Sequence, residues 1–435
     1  MSTASVASER IAAAVAGLTD SATERLAALV RHDSRLGHEA SAQTLVQAWF
    51  IALGLGVTRV PIRIEELRGR PGFSPPAAEL SLAGRDNVIG THRPAGPVRG
   101  RSLILNGHID VVPPGPQDLW TTPPFVPVVR DGRMYGRGAG DMKAGIVAFV
   151  TAFEALRRLG LEPAAPVYLQ SVVEEECTGN GALACLAAGY AADAAIIPEP
   201  FAQTLMVAQV GVMWARLVVS GRPAHVLDTG AGVNAVDAAY RLCERLRSLV
   251  ESWNDPAARH PAWADHPHPL NFNLGRIEGG DWASTVPSRV TVDLRVGFFP
   301  GADLADIRAA LERTVAEALA ADPQLAGVRA GLEWHGFQAE GAEMDAAHPM
   351  MTLLAGIHER VAGAPPAHLA STATTDARFF QLYGDIPATC YGPEADAIHG
   401  IDESVSLDSM MQVATVLALF MAEWCGVNER VRSEP

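Results

Sequence analysis

Positive charge, cysteine and long apolar runs are all scarce in this chain, and each scarcity excludes something. Lys and Arg number 34 against 49 Asp and Glu, a formal net charge of −15 over 435 residues. Binding to polyphosphate requires a basic face, so nucleic acid and anionic membrane are excluded as main partners. The five cysteines (Cys177, Cys185, Cys243, Cys390, Cys425) are odd in number and lack C-x-x-C spacing. They argue against a disulfide framework or a thiolate zinc site and fit a reducing compartment. No run reaches the roughly 18 apolar residues of a membrane span. Met1–Asp20 lacks the basic start and apolar stretch of a signal peptide, so the chain reads as cytoplasmic. A G-x-S-x-G elbow is missing and Cys177 has no evident histidine partner, which disfavours a serine or cysteine hydrolase. There is no internal repeat and no low-complexity segment.

What is present is an ordinary globular composition, with 48% hydrophobic residues, on a chain longer than one core usually supports. Two domains are expected. Thirteen histidines and 49 acids supply nitrogen and oxygen ligands in quantity.

The organising stretch is Tyr135–Gly145, Y-G-R-G-A-G-D-M-K-A-G. Its glycines permit positive φ and close approach, and the apolar helical pattern of Ile146, Val147, Phe149, Val150, Phe153 and Leu156 follows. A carboxylate at Asp141, between a glycine turn and a helix start, lies beside unpaired N–H groups and stays ionised. Capping is the commoner use of such an Asp. Its company changes that reading: L-I-L-N-G-H-I-D-V-V-P at Leu103–Pro113, V-V-E-E-E-C-T-G-N-G at Val172–Gly181, I-I-P-E-P at Ile196–Pro200 and A-I-H-G-I-D-E at Ala397–Glu403. Three of these end apolar runs of strand length, where an open α/β sheet places its site.

Helices are expected at Ser21–Leu36, Glu39–Leu55, Ile146–Leu159 and Gly181–Gly189, and strands at Val57–Ile64, Glu79–Leu82, Asn87–Gly90, Ser102–Leu105, Pro166–Val173 and Ala194–Ile197. Near Gly211 the character changes. A strand at Val212–Ser220, a helix at Asn234–Ser252, strands at Asn271–Glu278 and Arg289–Phe298, a helix at Ala302–Ala320 and a strand near Val328–Trp334 spell βαββαβ with antiparallel pairs. Helix–strand alternation then returns with Pro349–Val361, Ala388–Tyr391 and Ser406–Trp424. The expected fold is α/β: a catalytic domain with a mixed, mostly parallel sheet (1–210 and 339–435), interrupted by an inserted α+β domain (211–338).

His108 and Asp110 are two apart and share a face of a strand, so Asp110 can accept the second ring N–H of a metal-bound His108. The triplet Glu174–Glu176 terminates an apolar strand, where crowded carboxylates are costly without cations. Alone, each motif fits a turn, cap or solvated loop; together they run His, Asp, Glu, Glu, His at strand and loop ends. Two metal ions about 3.5–4 Å apart need such a set, with a shared carboxylate and a spare one for protons. Imidazole with carboxylate favours zinc, and manganese or cobalt bind similar sites.

These motifs, with Trp120 and Pro124–Phe125, resemble nearly end to end the dinuclear-zinc superfamily of aminoacylases, acetylornithine deacetylases, succinyl-diaminopimelate desuccinylases and carboxypeptidase G. The resemblance implies a zinc-peptidase-like catalytic domain with a dimerisation and lid insertion. It assigns His108 and Glu199 to one metal, Glu176 and His399 to the other, and Asp141 to both. Glu175 is then general base and acid, Asp110 stands behind His108, and the Asp141–Met142 peptide is cis. His225, in S-G-R-P-A-H, matches a histidine lent to the partner's site in a homodimer. Arg295, Thr374 and Arg378 resemble residues near a substrate carboxylate. Ser284, a further substrate-binding candidate, stands where Asn is frequent and reaches less far towards a carboxylate or oxyanion. Glu174 stands where Asp is common and Pro198 where Gly is frequent, and neither of these two removes a ligand. The expected function is hydrolysis of an N-acyl amide of a small amino compound. The alternatives are a carboxypeptidase or dipeptidase using the same metals and, more remotely, an inactive homologue that serves as a binding protein.

Overall fold

The computed structural model describes residues 3–78 and 84–430, so the strand expected at Glu79–Leu82 lies outside the described residues. Ten strands form the two principal sheets. In chain order they are β1 (Gly56–Val60), β2 (Asn87–His92), β3 (Leu103–His108), β4 (Val167–Val172), β5 (Ala195–Ile197), β6 (Gly211–Ser220), β7 (Phe272–Gly279), β8 (Arg289–Phe298), β9 (Arg329–Ala339) and β10 (Ala388–Cys390). The larger sheet has the order β1-β2-β4-β3-β5-β10. Its pairings from β4 through β3 and β5 to β10 are parallel, and those of β2 with β1 and β4 are antiparallel. The sheet is therefore mixed and mostly parallel. The carboxyl ends of β4, β3 and β5 lie side by side, and the acid and imidazole motifs follow directly.

The helix Ala144–Arg158 is buried on every side through its first three turns, as expected where a helix is apolar all round. It packs on β3 and against the helices Thr19–Val30 and Leu407–Trp424. Gly145 lets this helix meet the segment after β5: a Cβ there would lie 2.3 Å from the Pro198 carbonyl oxygen. The smaller sheet, β7-β8-β6-β9, is wholly antiparallel. One face packs on the helices Ala235–Trp253 and Leu304–Ala321 around core positions such as Leu217, Val292 and Leu294, a cluster separate from the main core. Asn234 caps the first of these helices, its Oδ1 accepting from the N–H groups of Val236 and Asp237. The other face carries Trp214, Arg216, Asp293 and Arg295, alternate residues of β6 and β8 that are partly exposed.

Several elements differ from the sequence reading. The first strand stops at Val60 and Ile64–Leu67 is a helical turn; Pro61 has no N–H to continue a ladder. Thr3–Ala16 is helical, Leu205–Gln209 pairs with His368–Ser371, and Ala377–Tyr383 forms a short helix. Periodicity marked none of these, because three are short and the first precedes the motif-bearing region. Among the described residues no helix is long and apolar enough to cross a membrane.

Gly145→Ala is expected to destabilise the protein by about 1–3 kcal/mol, the range for overpacking, and to loosen the segment carrying Glu199. Urea unfolding together with metal content of the purified variant measures both effects; wild-type values would contradict the close approach.

Candidate active site

The glycine turn presents Asp141 at the head of its helix. Gly138 has φ +78°, Asp141 and Met142 are non-helical, and the peptide between them is cis. The turn is anchored by Glu403, the last residue of the His399 motif. The Glu403 carboxylate accepts from the backbone N–H groups of Gly138 (3.1 Å), Gly140 (2.9 Å) and Asp141 (3.0 Å), and from Arg137 Nη1 at 2.5 Å. Arg137 stacks over Trp120 and donates to the Gly400 carbonyl. The signal available in sequence was the acidic pair that ends this motif.

Around Asp141 the expected side chains converge. His108 Nε2 lies 3.2 Å from Asp141 Oδ1, 3.7 Å from Glu199 Oε1 and 3.8 Å from Glu175 Oε2. His399 Nε2 lies 3.4 Å from Asp141 Oδ2 and 3.1 Å from Glu176 Oε2. Each oxygen of Asp141 thus faces a different imidazole. His108, at the end of β3, is buried, whereas the His399 side chain is 53% exposed on its loop. That loop holds positive φ at Ala397, His399 and Asp402, and Asp402 ties it to Thr121 of the proline-rich segment.

Asp110 differs from the expectation. His108 Nδ1 lies 2.9 Å from the Asp110 carbonyl oxygen and 3.8 Å from its carboxylate. The carboxylate instead accepts from the backbone N–H groups of Glu175 (3.3 Å) and Glu176 (3.1 Å). Glu174 points away from the cluster. With Glu39 it takes the buried Arg85 guanidinium, at 3.1 Å for Glu174 and 2.6 and 2.8 Å for Glu39.

The substrate candidates separate. Arg295 and Thr374 line a cavity of about 410 Å³ that also touches Glu175, Glu176 and His399. Arg295 Nη2 donates to the Thr372 carbonyl at 3.0 Å. Arg378 does not line that cavity: it is buried, stacked on Phe379, and donates through Nη2 to the Thr178 carbonyl, while its Nε and Nη1 make no hydrogen bond among the described residues. His225 and Ser284 do not line it either. They lie together in the inserted region, where the Val226 N–H donates to the Ser284 carbonyl and His225 bridges to Thr285. Neighbouring Leu227 is 90% and Trp282 75% exposed. Asp376, also missed by the sequence reading, is buried with both oxygens unpaired among the described residues.

Electrostatics follow from crowding. Burial raises Glu175 and Glu199 well above the ordinary carboxylate range, with partial opposition from His108. Burial pushes Asp110 and Asp376 up to about 7. Burial also acts on Asp141, yet hydrogen bonds from His108 and His399 hold it below its usual value. Glu176 raises His399 to about 11. Two overlapping sets, His108–Glu175–Glu199 and His108–Asp141–Glu176, have the geometry to hold a cation. Divalent ions would offset the repulsion among these acids, so the donor set fits a dinuclear centre of imidazole and carboxylate.

Fold and site together define a hydrolase of amide-type bonds built on a carboxylate–imidazole centre. The chain belongs to Peptidase family M20/M25/M40, whose model matches residues 104–423. It is 27% identical over 361 residues to the N-formyl-4-amino-5-aminomethyl-2-methylpyrimidine deformylase of Bacillus subtilis (strain 168), covering 79% of this chain and 84% of the relative. It is 31% identical over 355 residues to the succinyl-diaminopimelate desuccinylase of Stenotrophomonas maltophilia (strain K279a), covering 76% and 85%. The solved di-peptidase Dug1p of Saccharomyces cerevisiae shares the fold with a TM-score of 0.79 at 14% identity, covering 96% of this chain and 98% of that one.

A pH dependence follows for the protein stripped of metal. Asp110 and Asp376 rise from 3.8 to about 7 on folding, so the folded state binds these protons more tightly. Their contribution is present below about pH 3.8 and lost as pH rises towards 7. His399, raised from 6.5 to about 11, loses its contribution across that higher window. Asp141 has the opposite sign but titrates below 3.8. Lys143, lowered by burial to about 7, acts in the opposite sense over part of that window, so the test is made by difference. The urea midpoint of chelator-treated wild type relative to His399→Ala is expected to fall between pH 6 and pH 9, and a constant difference would contradict the His399 assignment.

Proposed function

We propose that the protein is a metal-dependent amidohydrolase that cleaves the N-acyl amide of a small N-acyl amino acid or related amine. The observation that carries this reading is the convergence of Asp141 on two imidazoles with Glu175 beside them. His108 with Glu199 would hold one divalent ion and Glu176 with His399 the other, Asp141 spanning both; zinc suits this donor set best. When bound, the ions supply Lewis acidity towards the acyl oxygen and the attacking water.

Glu175 takes a proton from the attacking water and returns it to the leaving amine. Its burial supports that role, because a raised carboxyl pKa lets one group act as base and then acid. Asp110 holds the backbone of Glu175 and Glu176 in register from behind. Arg295 and Thr374 face the substrate from the cavity wall, and Arg378, outside the cavity, does not touch substrate. Residues 211–338 act as one lid and dimerisation unit. The exposed Leu227 and Trp282 beside His225 and Ser284 support a homodimer in which His225 serves the partner's site. The five cysteines are free and buried, which supports a cytoplasmic setting.

A second reading, a carboxypeptidase or dipeptidase, is favoured by the position of Arg295, whose guanidinium suits a terminal carboxylate. The relatives' own reactions, deformylation of an aminopyrimidine derivative and desuccinylation of a diamino acid, lean towards the first.

Glu175→Gln is expected to lower kcat by about 10²–10⁴-fold with metal content retained, assayed on N-formyl, N-acetyl and N-succinyl amines and on dipeptides. Undiminished activity would remove Glu175 as the base. His225→Ala and Glu175→Gln, each nearly inactive alone, are expected to regain activity when mixed, because a mixed dimer contains one complete site. No recovery in a mixture shown to exchange subunits would place His225 outside the partner's site.

A further inference from the structure

The cavity beside the cluster carries a substrate preference, an inference that rests on the amidohydrolase reading above. Its floor is the acid cluster and its roof is the open face of the smaller sheet. Trp214 of β6 stands directly opposite Arg295 of β8, which stands opposite Asn273 of β7, so one row of side chains crosses three strands. The pairing of β6 with β9 slips between Met213 and Ala215. A bulge of this kind re-aims a side chain beside a site. Here Gly336 takes φ +56°, and a Cβ on it would lie 2.4 Å from the Trp214 ring. The irregularity makes room for Trp214, which meets Phe337 edge to face at a centroid distance of 5.3 Å and His335 at 6.0 Å. Three rings thus form one wall of a cavity of about 410 Å³, within the roughly 300–1,000 Å³ of small-molecule sites.

The charges on the walls decide what else fits. Among the described residues Arg295 is the only guanidinium lining the cavity, against Asp293, Glu175 and Glu176. Asp293 is held in place by Arg216, at 2.6 and 3.0 Å. A like charge placed close by is repelled more strongly as burial removes the water that screens it. One guanidinium satisfies one carboxylate of a substrate, and a second carboxylate would meet the neutral donors Asn273, Thr374 and His335 rather than another guanidinium. His335 Nε2 lies 3.6 Å from Asp293 Oδ1, and neither ring nitrogen makes a hydrogen bond among the described residues. Burial holds it below its usual pKa and Arg216 adds to that, with Asp293 opposing, so it meets the cavity as a neutral imidazole.

We propose that the substrate's distal group is an aromatic ring, neutral or cationic, seated against Trp214 and Phe337 with a polar ring atom or substituent towards His335. Acyclic substrates with a second distal carboxylate are rejected.

The test compares metal-loaded wild type, Trp214→Ala and the bulkier Trp214→Leu on three N-formyl substrates: an arylmethylamine, alanine and glutamate. Wild type is expected to prefer the arylmethylamine over the glutamate derivative by at least about 10-fold in kcat/KM, one such step being 1.4 kcal/mol. In both variants the ratio of aryl to alanine activity is expected to fall about 10-fold, chiefly through KM. Direct titration of wild type and variants with the free arylmethylamine, a product, reads binding independently of turnover and is expected to weaken in parallel. An unchanged ratio in folded Trp214→Leu, or a wild-type preference for the glutamate derivative, overturns the ring pocket and leaves amide hydrolysis standing. Silence on every amide in metal-loaded wild type, with Trp214-dependent binding of the arylmethylamine intact, would instead sink the hydrolase reading and keep the pocket.

Discussion

The structure depends on holding four carboxylates and two imidazoles together in a largely buried space. Asp141, Glu175, Glu176 and Glu199 repel one another, and burial removes the water that would screen them. The surroundings answer with a fixed frame of hydrogen bonds and cations one layer out. Glu403 ties the glycine turn down through three backbone N–H groups and Arg137, which aims both oxygens of Asp141. Arg85 takes the third acid of the triplet, Glu174, and so leaves Glu175 and Glu176 facing the cluster. Lys143, the only lysine in the chain, is buried and donates to the carbonyls of Leu29 and His32, fixing the first turn of the central helix. These groups rigidify the frame without entering the site, and the negative charge that remains is what a pair of divalent ions would neutralise.

The parallel part of the larger sheet is the mechanical basis of this arrangement. Because β4, β3 and β5 are neighbours running the same way, three loops leave from one edge and bring His108, Glu175, Glu176 and Glu199 into reach of each other. The central helix then delivers Asp141 across the top, possible only because Gly145 allows contact with the Pro198 carbonyl. His399 arrives last, on an exposed loop pinned by Asp402 and Glu403. The strand ends and the helix start are held by the core, whereas His399 hangs on a connection at the surface, which explains why it alone of the cluster is strongly exposed. The smaller sheet closes the space from the other side with Trp214 and Arg295, so the walls of the cavity come from two different cores.

What the sequence alone determined was local and periodic. The βαββαβ order of the inserted region, the β8 span Arg289–Phe298 and the buried central helix follow from alternation, capping and apolar period, and the strong motifs fall at strand ends as that pattern implies. Weak periodicity hid the short pieces, Leu205–Gln209 and Ala377–Tyr383, whose stability comes from neighbours distant in sequence. Only the tertiary structure decided that Glu403 anchors Asp141, that the Asp110 carboxylate serves the backbone of Glu175 and Glu176 rather than the His108 ring, and that Arg378 is buried outside the cavity. It also decided that the irregularity at Gly336 makes room for the Trp214 ring on the cavity side of the smaller sheet. Each of these depends on which of several atoms lies nearest after the chain has crossed from one element to another. Residue type and spacing fix what a side chain can do, but its partner is chosen by packing between segments far apart in the chain.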